Sequence, residues 1–222
     1  MPNSLIYSFF RALTHGVFGA VAALSMAATA LAATPSQFDS AFAQFAQARQ
    51  GDEGAMGKSA QAFAALLNAE PLNPVLMAYT GAATSMQANT TWLPWKKMSY
   101  AEDGLALLDK ALAMLTAEHN QPGARGLAPA LEVRLIAANT FLAVPGFMNR
   151  GARGTKLLDD LLASPLLGAT PLEFRGDVWM TAAKQATKDK RAQDARQYLD
   201  QVVRTGAPQA QAARTQLKAI AS

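Results

Sequence analysis

The sequence predicts an all-α fold for the part of the chain that follows its first thirty or so residues. In one segment after another, apolar residues recur at steps of three and four, as Phe38, Phe42 and Phe45 do, which places them on one face of a helix. Strict alternation of apolar and polar residues, which is typical of strands, is almost absent. Half of the 222 residues are hydrophobic and 16% are charged, so we expect a compact chain with little disorder.

The N-terminal residues predict an export signal over residues 1–32. Arg11 precedes a stretch of apolar and small residues at 12–24, and Ala30-Leu31-Ala32 supplies the small-x-small pattern that a signal peptidase accepts. Cleavage after Ala32 would release residues 33–222 as a single domain, located in the periplasm or secreted. In the alternative, residues 12–33 stay in place as a membrane anchor. The chain contains no cysteine, which excludes a lipidated N-terminal cysteine and any disulfide.

The helices can be placed in order along the mature chain from their apolar periodicity. Their predicted spans are residues 38–49, 58–69, 75–88, 100–118, 129–142, 155–163, 172–187, 191–205 and 208–221. Glycine and proline mark the predicted breaks between them, namely Gly51 and Gly54, Pro71 and Pro74, Pro94, Pro145 and Gly146, Gly151 and Gly154, and Pro165 and Pro171.

Some of these helices carry the spacing of bulky and small residues that is typical of tetratricopeptide repeats. The best match is Trp179, Ala183, Ala186, Ala195, Leu199 and Val202, with Pro208 following; weaker matches are Phe63, Leu66, Pro71 and Gly81, and Gly104, Leu108 and Ala111. Over most of residues 37–222 the chain therefore resembles a tetratricopeptide-like protein. It departs from the pattern at residues 89–99, 119–129 and 145–154, which we expect to be interruptions or long loops. An irregular helical bundle is the alternative.

The resemblance implies stacked antiparallel helical hairpins, an α-solenoid whose curved inner groove takes a peptide or a helix of a partner. Small residues such as Gly81 and Gly104 have a physical role in such a fold, because they let two helix axes approach closely. The family seldom catalyses reactions, so the resemblance also implies a binding function.

One segment, residues 91–100, has a composition unlike that of a scaffold. Trp92, Trp95 and Tyr100 with Lys96 and Lys97 combine aromatic area with positive charge, as interface hot spots do. Two interpretations are open. Either the tryptophans fill the gap between the third and fourth helices, or at least one ring is exposed and anchors a partner.

A second candidate site is the arginine pair Arg150 and Arg153, in a glycine-containing loop ahead of a helix predicted to begin near Thr155. Backbone donors at a helix N-terminus and two guanidinium groups favour an anion. The alternative is a solvated turn, because no lysine and serine or threonine complete a nucleotide-binding loop.

The sequence offers no recognisable catalytic or metal-binding constellation. His119 is the single histidine after the signal, and the adjacent carboxylates Glu102-Asp103 and Asp159-Asp160 point about 100° apart on a helix, so neither pair converges on one substrate. We therefore expect no enzyme activity, no metal and no cofactor. The formal charge of +4, or +3 once Arg11 leaves with the signal, is too diffuse for a nucleic-acid surface.

Two functional hypotheses follow from the sequence. The first is a non-enzymatic periplasmic scaffold or interaction module with a protein or peptide partner, and without stable membrane insertion after signal cleavage. The second is a carrier that encloses a small apolar molecule or a lipid in a helical groove.

Overall fold

The ends of the helices are set by capping residues, prolines and glycine-bearing turns. The computed structural model describes residues 34–123 and 125–221, and within these ranges the chain forms nine α-helices and no strand. They are α1 (Pro35–Arg49), α2 (Glu53–Ala69), α3 (Pro74–Met86), α4 (Pro94–Ala113), α5 (Pro129–Ala143), α6 (Gly151–Leu162), α7 (Leu172–Lys188), α8 (Ala192–Thr205) and α9 (Ala210–Ala221). The all-α prediction is confirmed. The predicted signal, residues 1–32, lies outside the described residues.

Side-chain caps begin the first three helices. Thr34 forms a capping box with Gln37 at the start of α1, and the Asp52 carboxylate accepts a hydrogen bond of 3.0 Å from the backbone N–H of Ala55 in α2. Asn73 accepts hydrogen bonds from the N–H groups of Val75 and Leu76 in α3. Each cap occupies backbone donors that the first turn of a helix leaves without an internal partner.

The predicted starts of three helices are wrong, and each error has a local cause. Helix α2 begins at Glu53, so only Gly51, with φ of 99°, breaks the chain and Gly54 is helical. Helix α4 begins at Pro94 rather than Tyr100, because a proline needs no N–H at the first helical position. Helix α6 begins at Gly151 rather than Thr155, so the predicted loop at 145–154 is shortened. Helix α4 also ends at Ala113, earlier than predicted, and a short 3-10 turn follows over Ala117–Asn120.

Each described helix packs against the next one along the chain, and three larger apolar clusters follow one another. Helices α1 to α4 each contact the next, as do α5 with α6 and α7 with α8, while α3 and α7 both contact α5. The first cluster joins α1 to α5, the second joins α5 to α7, and the third joins α7 to α9. The residues of the best repeat match, Trp179, Ala183, Ala186, Ala195, Leu199 and Val202, are all buried. This arrangement is consistent with both a solenoid and an irregular bundle.

Helices α3 and α4 cross at two glycines. A Cβ atom added to Gly104 would lie 2.4 Å from the carbonyl oxygen of Gly81, and one added to Gly81 would lie 2.7 Å from the carbonyl oxygen of Gly104. Gly154 has a similar role in α6, where an added Cβ would lie 2.9 Å from Cγ of Leu142 in α5. These small residues therefore permit backbone approaches that any side chain would prevent.

Between residues 34 and 221, leaving out position 124, no helix is both long and apolar enough to cross a membrane.

Candidate functional site

The main cavity of the described structure is a groove lined by alternate helices. It has a volume of about 670 Å³, within the usual range for ligand-binding sites, and most of its lining residues come from α1, α3, α5 and α7. Helices α2 and α4 contribute one residue each, Met56 and Ala101. Helices α1, α3, α5 and α7 thus face the groove, and we call this cavity the groove below.

Aromatic rings form one wall of the groove. Tyr79 in α3 stacks on Phe63 with 4.7 Å between ring centroids, and it makes edge-to-face contacts with Phe38 and Phe45 in α1. Phe42 completes the set and is 36% exposed in the groove. Such pairs stabilise their arrangement beyond simple burial, so this wall is preformed and apolar.

A buried carboxylate ties the aromatic wall to α5. Glu132 accepts a hydrogen bond of 2.7 Å from Oη of Tyr79 and two of 2.6 Å from Nη2 of Arg125. Arg125 also lies over the ring of Phe38, with Cζ 3.8 Å from its centroid. Burial and the neighbouring carboxylate raise the pKa of Tyr79 well above its ordinary value, so the hydroxyl stays protonated and donates. The charge of Glu132 is therefore satisfied within the protein.

A second carboxylate in the groove is less completely satisfied. Burial raises the pKa of Asp177 in α7, while Arg49 and a hydrogen bond of 2.9 Å from Nε2 of Gln209 oppose that rise. Arg49 is in α1, so the first and seventh helices lie within electrostatic reach of each other. Glu173, one turn before Asp177 and exposed, lines the same wall. A partly desolvated carboxylate in a cleft is a feature that binding sites often have.

The groove combines this apolar wall with charges of both signs, and it holds no evident catalytic constellation. Four carboxylates line it, those of Asp39, Glu132, Glu173 and Asp177, together with three cationic side chains, those of Arg49, Arg125 and Lys184. Among the described residues no group of three or more histidines and acids is arranged to hold a metal ion. Chemically, the groove can bind apolar groups and ion-pair with charged ones.

The predicted aromatic segment lies outside the groove and is exposed. Trp92 is 82% exposed and Trp95 66%, so the interpretation that they fill the gap between α3 and α4 is wrong. The reason is that α4 begins two turns before Ala101, its first buried residue, so these two turns contribute no buried side chain. Lys96, Lys97 and Met98 are exposed on the same turns, and Tyr100 is half-buried. We call Trp92, Trp95, Lys96, Lys97 and Met98 the aromatic tip.

Both arginines of the predicted anion site already have a partner. Nη1 of Arg150 lies 2.9 Å from Oδ2 of Asp109 in α4, and Arg153 forms a second ion pair with Asp109. Both guanidinium groups also lie over the ring of Phe141. The structure therefore gives this pair a part in joining α4, α5 and α6, and an anion would have to compete with Asp109.

Sequence reasoning missed the groove residues Arg125, Glu132 and Asp177. The available signal was a carboxylate inside an otherwise apolar helix, as Glu132 is among Ala130, Leu131 and Val133. Such a residue is rarely buried without a specific partner. His119, in contrast, has a local role, since its Nδ1 accepts a hydrogen bond of 3.0 Å from the N–H of Thr116.

Comparison of the chain with protein-family models, curated proteins and solved structures finds no match. The groove and the aromatic tip are therefore interpreted from their own geometry.

Proposed function

We propose that this chain is a non-enzymatic interaction protein of the cell envelope, and that its groove binds an extended segment of a protein partner. The observation that supports this most is the composition of the groove, which combines a preformed aromatic wall on α1 and α3 with carboxylates of α7. A polypeptide segment offers both apolar and charged side chains within a few residues. It therefore matches a groove that carries both.

The partly desolvated Asp177 supports the same proposal. Burial makes the ionised form of this carboxylate costly, and a positively charged group brought close to it stabilises that form. Glu173, one helical turn away on α7, adds a second negative charge. A segment with a lysine or arginine near an apolar residue fits this pair together with the aromatic wall.

The second candidate is a carrier of a small apolar molecule or a lipid. The aromatic wall and a volume of about 670 Å³ favour it, because both suit a single apolar cargo. The exposed charged side chains of the lining, those of Asp39, Glu173 and Lys184, favour the peptide instead, since apolar cargo would desolvate them without compensation. Native mass spectrometry of protein purified without detergent distinguishes the two, because a carrier retains cargo of defined mass.

The envelope location rests on residues 1–32. The proposal is a periplasmic protein whose mature N-terminus is Ala33, with secretion or a retained N-terminal anchor as the alternatives. Intact-mass measurement of the protein recovered from the envelope fraction tests it, since loss of residues 1–32 has a defined mass.

A peptide-display selection tests the binding function directly. We expect immobilised protein to enrich members of a phage-displayed library of random peptides that pair a basic residue with an aromatic or aliphatic one. Phe42→Asp and Glu173→Lys, both at exposed groove positions, should abolish that enrichment. Phe147→Asp is the matched control, because Phe147 is exposed and does not line the groove. Enrichment that survives both groove substitutions would contradict the proposal.

A further inference from the structure

The aromatic tip is exposed, and its composition constrains what it can bind. Every residue from Pro94 to Ser99 is exposed, and Trp92 is exposed just ahead of them. Neither Trp92 nor Trp95 contributes to the groove or to an apolar cluster of the described structure. Two large aromatic side chains in water form an exposed apolar patch, which marks an interaction surface.

The charge of the tip has one sign. Lys96 and Lys97 stand in the first turn of α4, and the nearest acidic residues along the chain are Glu70 before the tip and the exposed Glu102 and Asp103 one turn after it. Neither lysine forms an ion pair with a residue that the structure describes. The N-terminus of α4 has no side-chain cap and adds the partial positive charge of the helix dipole. A surface that complements the charge of this tip is therefore anionic.

We propose that the aromatic tip docks the protein onto an anionic phospholipid surface. Tryptophan is enriched at the level of the lipid headgroups, where its ring meets the acyl chains and its N–H meets water. Lysines beside it attract anionic headgroups, and peripheral attachment needs both an apolar and an electrostatic component.

This docking is peripheral and does not depend on the groove. The tip would place two rings and one methionine, Met98, in the interface, and the body of the protein would stay outside it. A peptide partner in the groove and lipid at the tip can then be bound together.

Tryptophan quenching by brominated lipid tests the proposal on the full chain. The chain has three tryptophans, and the third, Trp179, is buried, so it serves as an internal reference. Vesicles of brominated phosphatidylcholine mixed with phosphatidylglycerol should quench the wild-type emission. In Trp92→Phe/Trp95→Phe the remaining emission of Trp179 should be unaffected. Because quenching reports on these rings alone, vesicle binding through residues 12–24 would not produce it.

The lysines provide the second test. A lysine near an anionic membrane contributes about 1 kcal/mol, so Lys96→Gln/Lys97→Gln should weaken vesicle binding about 30-fold. Lys58→Gln/Lys110→Gln removes the same charge from exposed positions elsewhere and should leave binding unchanged. Absence of quenching, equal quenching by vesicles without phosphatidylglycerol, or quenching that appears only with an added envelope protein would each overturn the proposal.

Discussion

Asp177 is a residue of the groove whose ionised form costs the folded protein stability. Burial outweighs Arg49 and Gln209 in setting its pKa, so ionised Asp177 destabilises the folded state relative to its protonated form. A residue that costs stability in a cleft is often retained for function. The contrast is Glu132, whose carboxylate is bonded to both Tyr79 and Arg125.

We predict that Asp177→Asn stabilises the protein at neutral pH. The folded-state pKa of Asp177 is raised above the ordinary value of 3.8, so its protonation favours folding. That favourable contribution is complete below 3.8 and is lost as the pH rises through the folded-state pKa. Asparagine is neutral throughout and still accepts from Gln209.

Urea denaturation of Asp177→Asn and wild type at several pH values measures this effect. The variant should have the higher free energy of unfolding at pH 7, and the difference should shrink as the pH approaches 3.8. Asp39→Asn, at another position lining the groove, is the control. A variant that is less stable than wild type at pH 7 would show that the Arg49 interaction outweighs burial.

At the scale of helices, the α3–α4 crossing depends on backbone contact. Gly81 and Gly104 bring the two helices so close that a methyl group has no room against carbonyl oxygens, which cannot rotate away as side chains do. The first apolar cluster, which spans α1 to α5, includes Leu105 and Leu108 of α4 and therefore depends on this approach.

We predict that Gly104→Ala destabilises the protein by about 1–3 kcal/mol, the usual cost of overpacking. Gly57→Ala, in the interior of α2, should instead stabilise it by about 0.4–1 kcal/mol, because nothing lies within 4 Å of the added Cβ. Thermal unfolding followed by circular dichroism measures both. If the two substitutions have the same sign of effect, the crossing is not tightly packed.

The exposed start of α4 gives a prediction about stability. Because Trp92 and Trp95 are exposed, Trp92→Ala/Trp95→Ala should change the free energy of unfolding by no more than about 0.5 kcal/mol per site. Trp179→Ala removes a buried ring of the third cluster and should cost about 3–5 kcal/mol. Loss of the fold in the double variant would mean that these rings are part of the core.

Much of the helical architecture could be predicted because each helix has an apolar face that repeats locally. The periodicity of residues 38–49 or 191–205 is visible in a short window, and the structure has helices there. The starts of α4 and α6 were missed because Pro94 and Gly151 also occur as helix breakers. In α6 packing decides, since Gly154 lies against Leu142 of α5. The first turns of α4 are exposed, and there Pro94 suits the first helical position.

The groove could not be predicted from the sequence, because its residues are far apart along the chain. Phe38, Tyr79, Glu132 and Asp177 come from four different helices, and only the packing of those helices brings them to one cavity. The exposure of the aromatic tip was equally inaccessible, since it depends on how far α4 extends beyond its contacts with α3.

At the scale of the whole molecule, two surfaces have two proposed tasks. Helices α1, α3, α5 and α7 form a groove with apolar and charged walls, proposed to hold a segment of a partner. The aromatic tip lies at the start of α4 and is proposed to rest on lipid. Separate variants, Phe42→Asp in the groove and Lys96→Gln/Lys97→Gln at the tip, should therefore impair one task each.

Site-specific photo-crosslinking in envelope extracts tests the central claim, that the groove holds a protein segment, most directly. A benzophenone amino acid replaces Phe42 in the groove or, as the control, the exposed Phe147. After illumination, mass spectrometry should identify a peptide of one partner protein crosslinked at position 42 and absent from position 147. A lipid or other small-molecule adduct at position 42, or no adduct specific to that position, would contradict the account.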